Sequence, residues 1–290
     1  MSWELRVAAV QMRSGGDLAE NLRVCRELAA RAVAEGAQLV VLPECFALVG
    51  RGEGDKLAIA ESLADAGGGP IGGMLRELAT KHGAWIVGGG LPERVPGEDR
   101  RTYNTAAVIA PSGALVAAYR KIHLFDVNIP DDGTPSAGRP GGAVLRESDA
   151  TAPGSDRVVV DIEGAKVGVT ICYDVRFPEL YRELVLDRGA EVLLVPAAFT
   201  AHTGAAHWHV LLRARAIEDQ AWVVAAAQWG RHNDKRESYG HTLVVDPWGT
   251  IVGERADGDG VVVATLDGRE VAKRRAQMPC ARHAVLWNQD

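Results

Sequence analysis

Three reactive side chains stand where strands are expected to end: Glu44 after residues 38–42, Lys121 after residues 115–120 and Cys172 after residues 166–171. Proteins built from strands and helices commonly collect their sites at the carboxyl ends of strands. Taken singly, a carboxylate there is often a solvated loop residue, and a cysteine is more often a small buried hydrophobe. Context raises the thiol. Val167-Gly168-Val169-Thr170-Ile171-Cys172-Tyr173-Asp174 places it at a strand-to-helix bend, and Phe177-Pro178-Glu179-Leu180 reads as the helix start. Such a bend exposes a nucleophile and aims the next backbone N–H, that of Tyr173, at a developing oxyanion. A thiol of ordinary acidity is only slightly ionised near neutrality, so it needs a base or a cationic neighbour to attack. Glu44 can take the proton and Lys121 can supply the charge. In that scheme Cys172 adds to an amide carbonyl and Lys121 and the Tyr173 N–H hold the oxyanion. Glu44 returns the proton to the leaving amine and then activates the water that cleaves the thioester.

Other chemistries find weaker support. His123, His207 or His241 could serve Cys172 as base, but no Asn or Asp pattern selects one of them. His202, His207 and His209 do not make a metal set, since positions two apart on the helix expected over residues 205–217 point to different sides. The run Gly88-Gly89-Gly90 fits neither phosphate-loop pattern. The sequence therefore calls for no cofactor and no metal.

The elements that must position these groups alternate from the start of the chain. Residues 6–12 read as a strand, and residues 17–35 set Leu18, Leu22, Cys25, Leu28, Ala29 and Ala32 on one helical stripe, with Asp17 and Glu20 as a capping pair. Residues 38–42 predict a strand, 73–82 a helix, and 84–90, 103–110 and 115–120 three more strands. The second half repeats this layout. Residues 36–43 have a counterpart in 189–196, residues 84–87 in 221–224, and Tyr103 precedes Pro111 as Tyr239 precedes Pro247. Two such units pack most economically as two sheets face to face with helices outside, an α/β fold of four layers, α-β-β-α, made of two related halves. No interdomain linker is evident, so residues 1–290 read as a single domain. Residues 127–142, rich in Pro, Gly and Asp, read as a long loop between the halves.

Composition narrows the partners. The 290 residues are 47% hydrophobic and 24% charged, with a net charge of −6, which argues against a nucleic-acid footprint. The longest apolar stretches, near residues 191–199 and 221–228, are far short of the roughly 20 residues a spanning helix needs. The amino terminus runs into a strand pattern without the layout of an export signal, so a cytoplasmic location is expected. The four cysteines, Cys25, Cys45, Cys172 and Cys280, form no C-x-x-C pair.

The segments around the three reactive groups resemble the nitrilase superfamily of carbon–nitrogen hydrolases over nearly the whole chain. Leu42-Pro43-Glu44, Tyr119-Arg120-Lys121-Ile122-His123-Leu124-Phe125-Asp126 and Ile171-Cys172-Tyr173-Asp174-Val175-Arg176-Phe177-Pro178-Glu179 are similar to its Glu, Lys and Cys motifs, in order. The triad assignment rests on that resemblance, since spacing alone would not select it. Arg146-Glu147-Ser148-Asp149, followed by Ala152-Pro153-Gly154, is similar to the motif of a second glutamate and implies that Glu147 helps hold Lys121 and the substrate. The resemblance also implies the αββα fold, a small-molecule amide substrate and a homodimer or higher homo-oligomer. Residues 199–249 most resemble the deaminated-glutathione amidase branch, which cleaves a 2-oxoglutaryl-type amide. The ω-amidase branch, acting on 2-oxoglutaramate and 2-oxosuccinamate, shares the triad but is less similar after Trp208. Two departures are the long loop at residues 127–142 and the carboxyl-terminal Pro279-Cys280-Ala281-Arg282-His283-Ala284. An acidic substrate needs a cationic partner. Arg176, four residues after the thiol, is the nearest, with an ion pair to Glu179 as its alternative use. Phe199 and Thr203 line the pocket by resemblance. A silent scaffold of the same fold is the reading from another class, and the joint presence of Glu44, Lys121, Cys172 and Glu147 argues against it.

Overall fold

Along β1 (Glu4–Gln11), Leu5, Val7 and Ala9 fall into one buried cluster and Ala8 and Val10 into another. Successive strand side chains point to opposite faces, so a strand apolar on both faces needs a layer on each side. The computed structural model, which describes residues 2–52, 54–63, 68–129 and 143–287, supplies both layers. α1 (Leu18–Ala34) buries Leu22, Cys25, Leu28, Ala29 and Ala32, and Asp17 caps it by accepting from the Glu20 N–H. Then follow β2 (Leu39–Val41), the short α2 (Asp55–Ala58), α3 (Pro70–His82), β3 (Trp85–Arg94), β4 (Thr102–Ile109) and β5 (Leu115–Arg120). A hairpin of β6 (Asp126–Ile129) and β7 (Ala143–Arg146) leads to β8 (Val158–Ile162), β9 (Ala165–Val169), α4 (Pro178–Arg182), β10 (Val192–Leu194) and α5 (Ala201–Asp219). The chain continues through β11 (Trp222–Ala225), β12 (Trp229–Arg231), β13 (Glu237–Tyr239), β14 (Thr242–Val245), β15 (Ile251–Arg255), β16 (Gly260–Asp267) and α6 (Gly268–Gln277).

Among the described residues the long strands form two six-stranded sheets, ordered β16-β1-β2-β3-β4-β5 and β15-β14-β11-β10-β9-β8. α1 and α3 cover the outer face of the first, where Leu28, Leu75 and Leu78 cluster with Val10, Val40 and Ile86. The opposite face, with Leu5, Val7, Leu39 and Val87, shares a cluster with Val167, Leu193 and Val223 of the second sheet and with Tyr181, Trp208 and Leu212 of α4 and α5. The layers are therefore α-β-β-α, as expected.

The repeat read from the sequence is topological. β1, β2 and β3 run parallel and β4 and β5 antiparallel; β9, β10 and β11 run parallel and β14 and β15 antiparallel. Even the sixth strands correspond, with β16 antiparallel to β1 and β8 antiparallel to β9. The Tyr103–Tyr239 match is looser, because Tyr103 lies within β4 whereas Tyr239 ends β13 ahead of β14. The helix expected from residue 73 begins at Pro70, whose fixed φ suits a first turn, and the one expected from residue 205 begins at Ala201. Of the loop expected over residues 127–142, residues 127–129 belong to β6, whose pairing with β7 makes a hairpin stem. Residues 130–142 lie outside the described residues. Among the described residues no helix is long and apolar enough to cross a membrane.

Candidate active site

Glu44 leaves the first sheet two residues after Leu42, whose N–H still bonds Val87 O in the sheet at 2.9 Å. Cys172 leaves the second sheet with a left-handed φ of 48° and opens a tight helical turn, Cys172–Arg176. Its N–H is anchored on Pro196 O at 2.9 Å. A non-glycine residue at positive φ is strained, and such strain persists where the surroundings fix it. Here the fixing group is Asp174, fully buried. Its carboxylate accepts from Ile171 N (2.9 Å), Tyr119 Oη (2.7 Å) and His123 N (3.1 Å), with His123 Nδ1 at 2.8 Å. His123 in turn stacks on Phe177 at 3.7 Å, so this histidine serves the loop rather than the thiol.

The sheets meet closely at these strand ends because of the glycine run in β3. A Cβ on Gly89 would lie 2.0 Å from Leu42 O and 2.3 Å from Pro196 Cβ, and Gly90, at φ 148°, faces Asn104 and Glu44. The run that fits no phosphate loop thus lets the two halves of the site approach.

Lys121 Nζ lies 3.0 Å from Glu44 Oε1 and 2.9 Å from Glu147 Oε2, with all three side chains buried. Asn104 Nδ2 donates to Glu44 Oε1 (2.8 Å) and Glu147 Oε1 (3.3 Å). Glu44 Oε2 accepts from Ala198 N at 2.9 Å, and Glu147 Oε2 from Phe125 N at 2.7 Å. Gln228 Nε2 holds the Glu44 carbonyl at 3.1 Å. Cys172 is buried, with 9% of the residue exposed, and its thiol feels both the Glu44 carboxylate and the Lys121 ammonium.

The electrostatics follow from burial and from this pairing. Burial would discharge Lys121, but Glu147 and Glu44 outweigh it and hold the ammonium well above its ordinary pKa. Burial would protonate Glu147, but Lys121 overrides it and keeps the carboxyl below the usual range. For Cys172, burial and then Glu44 push the thiol well up, with Lys121 pulling partly back. The resting sulfur is therefore a neutral thiol aimed at a carboxylate, beside a permanent cation.

Arg176 is half-buried, packed over the rings of Phe199 (4.9 Å) and Tyr173 (5.7 Å), with Nη1 3.3 Å from His207 Nδ1. It makes no carboxylate ion pair among the described residues, Glu179 included. Tyr173 and Phe199 flank it, while Thr203, in the first turn of α5, bonds Thr200 through their hydroxyls at 2.7 Å. The structure thus brings Glu44, Lys121, Glu147 and Cys172 together and sets Arg176 against the rings of Phe199 and Tyr173. Sequence reasoning missed Asn104, Asp174, Gln228 and the Ala198 and Phe125 N–H groups. An acid two residues after the thiol was the available signal; Asn104 sits among Thr102, Tyr103 and Thr105 and does not stand out, and backbone donors leave none.

The chain matches the carbon-nitrogen hydrolase family over residues 6–276. It is 44% identical over 282 residues to a deaminated glutathione amidase of Synechocystis, covering 96% of this chain and 97% of that one. It is 42% identical over 288 residues to the Mus musculus deaminated glutathione amidase, covering 97% and 84%. The crystal structure of Saccharomyces cerevisiae Nit3, a member of branch 10 of the nitrilase superfamily, matches with a TM-score of 0.83 at 33% identity over 96% of this chain and 95% of that one.

Proposed function

The chain belongs to the carbon–nitrogen hydrolase family, within the nitrilase superfamily, and from that premise we propose that it hydrolyses the amide of deaminated glutathione, releasing 2-oxoglutarate and cysteinylglycine. The observation that carries this reading is the convergence of Glu44, Lys121 and Cys172 from two sheets into one buried cluster, with Lys121 bonded to Glu44 and the thiol within the electrostatic reach of both. The deaminated glutathione amidases it resembles over nearly their full length supply the substrate.

Because the thiol is neutral at rest, attack requires its proton to pass to Glu44 as sulfur adds to the carbonyl carbon. The oxygen that becomes negative lies by the Lys121 ammonium and the Tyr173 N–H. Collapse sends the proton from Glu44 to the departing amine of cysteinylglycine and leaves a 2-oxoglutaryl thioester on Cys172. Glu44, again unprotonated, takes a proton from water as the water attacks that thioester; the C–S bond then breaks, the proton passes from Glu44 to the Cys172 sulfur, and 2-oxoglutarate leaves with the resting thiol restored. Glu147 and Asn104 do not exchange protons in this sequence; they hold Lys121 charged and Glu44 oriented. Arg176, without a carboxylate partner among the described residues, suits the substrate's 2-oxo acid end, for which a charge-assisted pair is the strong recognition element.

Quenched-flow mass spectrometry with synthetic deaminated glutathione tests the reading. It expects a 2-oxoglutaryl adduct on the peptide carrying Cys172 and stoichiometric cysteinylglycine. A kcat/KM higher on 2-oxoglutaramate than on deaminated glutathione would move the assignment to ω-amidase. No turnover of either, with folded protein, would remove it.

A further inference from the structure

We infer that His209, His241 and Glu254 form a binding site for a divalent cation of the zinc class, apart from the thiol site and independent of its reading. The three residues come from α5, the β13–β14 connection and β15. Their ligand atoms lie within 4.8 Å of one another. His209 Nε2 and His241 Nδ1 both address the same oxygen, Glu254 Oε1, at 2.9 and 2.6 Å. Two imidazoles and a carboxylate are the ligand set that borderline divalent ions prefer, and three protein ligands leave a fourth position for water. Zinc bonds of about 2.0–2.2 Å put tetrahedral ligands roughly 3.3 Å apart, so side-chain shifts of about 1 Å convert the present cluster into a coordination shell.

The rings are held for this. Tyr239 stacks on His241 at 4.2 Å and 23°, and meets His209 edge-on at 5.9 Å and 88°. His241 sits at a left-handed φ of 56°, its carbonyl accepts from Trp208 Nε1 at 2.9 Å and its N–H bonds Ala256 O at 3.2 Å. Rings fixed by neighbours lose little freedom on coordination. The set differs from His202, His207 and His209, which share one stretch of chain; sequence spacing offered no sign of a site built from three elements. The residues are about a quarter to a third exposed, with side-chain values of 29% for His209, 25% for His241 and 32% for Glu254, so an ion can reach them from solvent.

The site has a route to the first turn of α5. Tyr239 N bonds Phe199 O at 2.9 Å, and a Cβ on Gly204 would lie 2.3 Å from Tyr239 Cβ, so β13 and the start of α5 move together. An ion there pins α5 to β15 and stabilises the folded chain by mass action.

Cys172→Ala protein without a histidine tag, stripped with chelator, is titrated with Zn²⁺ by calorimetry, so that the thiol does not compete for metal. The expected result is one equivalent bound and a rise in Tm. Glu254→Gln, which keeps the side-chain shape, and His209→Gln in the same background should each weaken binding by about 100-fold or more and cancel the rise. Co²⁺ should give the visible absorption of a tetrahedral or five-coordinate site, lost in the same variants. No binding by folded Cys172→Ala protein, or binding that persists unchanged in both variants, overturns the inference.

Discussion

Asn104 donates its side-chain amide to Glu44 Oε1 at 2.8 Å, the oxygen that Lys121 also reaches at 3.0 Å. That leaves Oε2, which takes the Ala198 N–H, on the side away from the lysine. The same amide reaches Glu147 at 3.3 Å, so one neutral side chain ties together two buried carboxylates that would otherwise repel.

Removing it should therefore cost turnover more than binding. Asn104→Ala is expected to lower kcat by about 10- to 100-fold, the worth of a hydrogen bond to a charged group, with KM changed much less. Asn104→Asp should be worse, because it adds a third carboxylate beside one ammonium. Steady-state kinetics on deaminated glutathione check this, and a kcat within threefold of wild type in Asn104→Ala would show that Lys121 alone orients Glu44.

The thiol's environment makes an expectation of opposite signs in one variant. Glu44 raises the Cys172 pKa and Lys121 lowers it. In Glu44→Gln the raising partner is gone, so iodoacetamide alkylation at pH 7 should speed up by about three- to tenfold while turnover is lost. Cys172→Ala should abolish both, and Cys25→Ala, Cys45→Ala and Cys280→Ala should abolish neither. Slower alkylation in folded Glu44→Gln would mean that the carboxylate activates the resting thiol.

The places of the reactive groups were legible because they stand at ends of strands whose β-branched runs declare themselves, but the choice of Glu44, Lys121 and Cys172 among such residues rested on the resemblance of their motifs to the nitrilase superfamily. What was not legible is what comes from packing between distant segments. Asn104 looks like any polar residue at a strand edge until the register of β3 and β4 brings it to Glu44. The Gly88-Gly89-Gly90 run gave no phosphate pattern, and its use emerges only when Leu42 and Pro196 are seen to close over it. His209 and His241 are separated by the rest of α5 and by β11, β12 and β13, and His241 and Glu254 by β14, so no periodicity joins them. Residues 127–129 read as loop because a four-residue strand carries too short an alternation to be recognised.

Gly89 is where fold and chemistry share one atom's width. A methyl there would meet Leu42 O at 2.0 Å and Pro196 Cβ at 2.3 Å. Pro196 O anchors the Cys172 N–H and Leu42 leads into Glu44, so relief of the clash separates base from nucleophile. Gly89→Ala is expected to cost about 1–3 kcal/mol of stability by overpacking and to lower kcat by about 100-fold, the effect of a displacement near 1 Å. Denaturant melts together with kcat measure both, and a variant that is destabilised yet fully active would uncouple the sheets' approach from catalysis.

Arg176 offers a test of specificity. Held over Phe199 at 4.9 Å without a carboxylate partner among the described residues, it is poised for an acidic substrate. Arg176→Ala should raise KM for deaminated glutathione by about 10- to 100-fold while changing KM for a neutral aliphatic amide by less than about threefold. Arg176→Lys should recover part of the loss, since the charge returns without the planar fork. Equal losses on both substrates would assign the arginine to packing of the α5 entrance.

Asp219, at the end of α5, contributes a pH dependence to stability. Burial, helped by Glu218, pushes its carboxyl up to about 7 against the pull of Arg182, Arg215 and Arg275. Among the described residues neither carboxylate oxygen has a hydrogen-bond donor, and the ion-pair partner, Arg182 Nε, stands 3.7 Å away. Well below pH 4 the acid is protonated both folded and unfolded, and it costs nothing. As pH rises towards 7 the unfolded chain ionises while the folded chain resists, so stability falls across that window and then levels off. A displacement of this size has a ceiling of about 4 kcal/mol, and relaxation of the site around the ionised group brings the expected loss to roughly 1–3 kcal/mol. Asp219→Asn should therefore be more stable than wild type at pH 8 by that amount, with the gain shrinking to nearly nothing at pH 4. Urea unfolding of both proteins at the two pH values checks it. A difference that stays constant with pH would mean that Asp219 is ionised throughout and that its arginines, despite their distance, neutralise it.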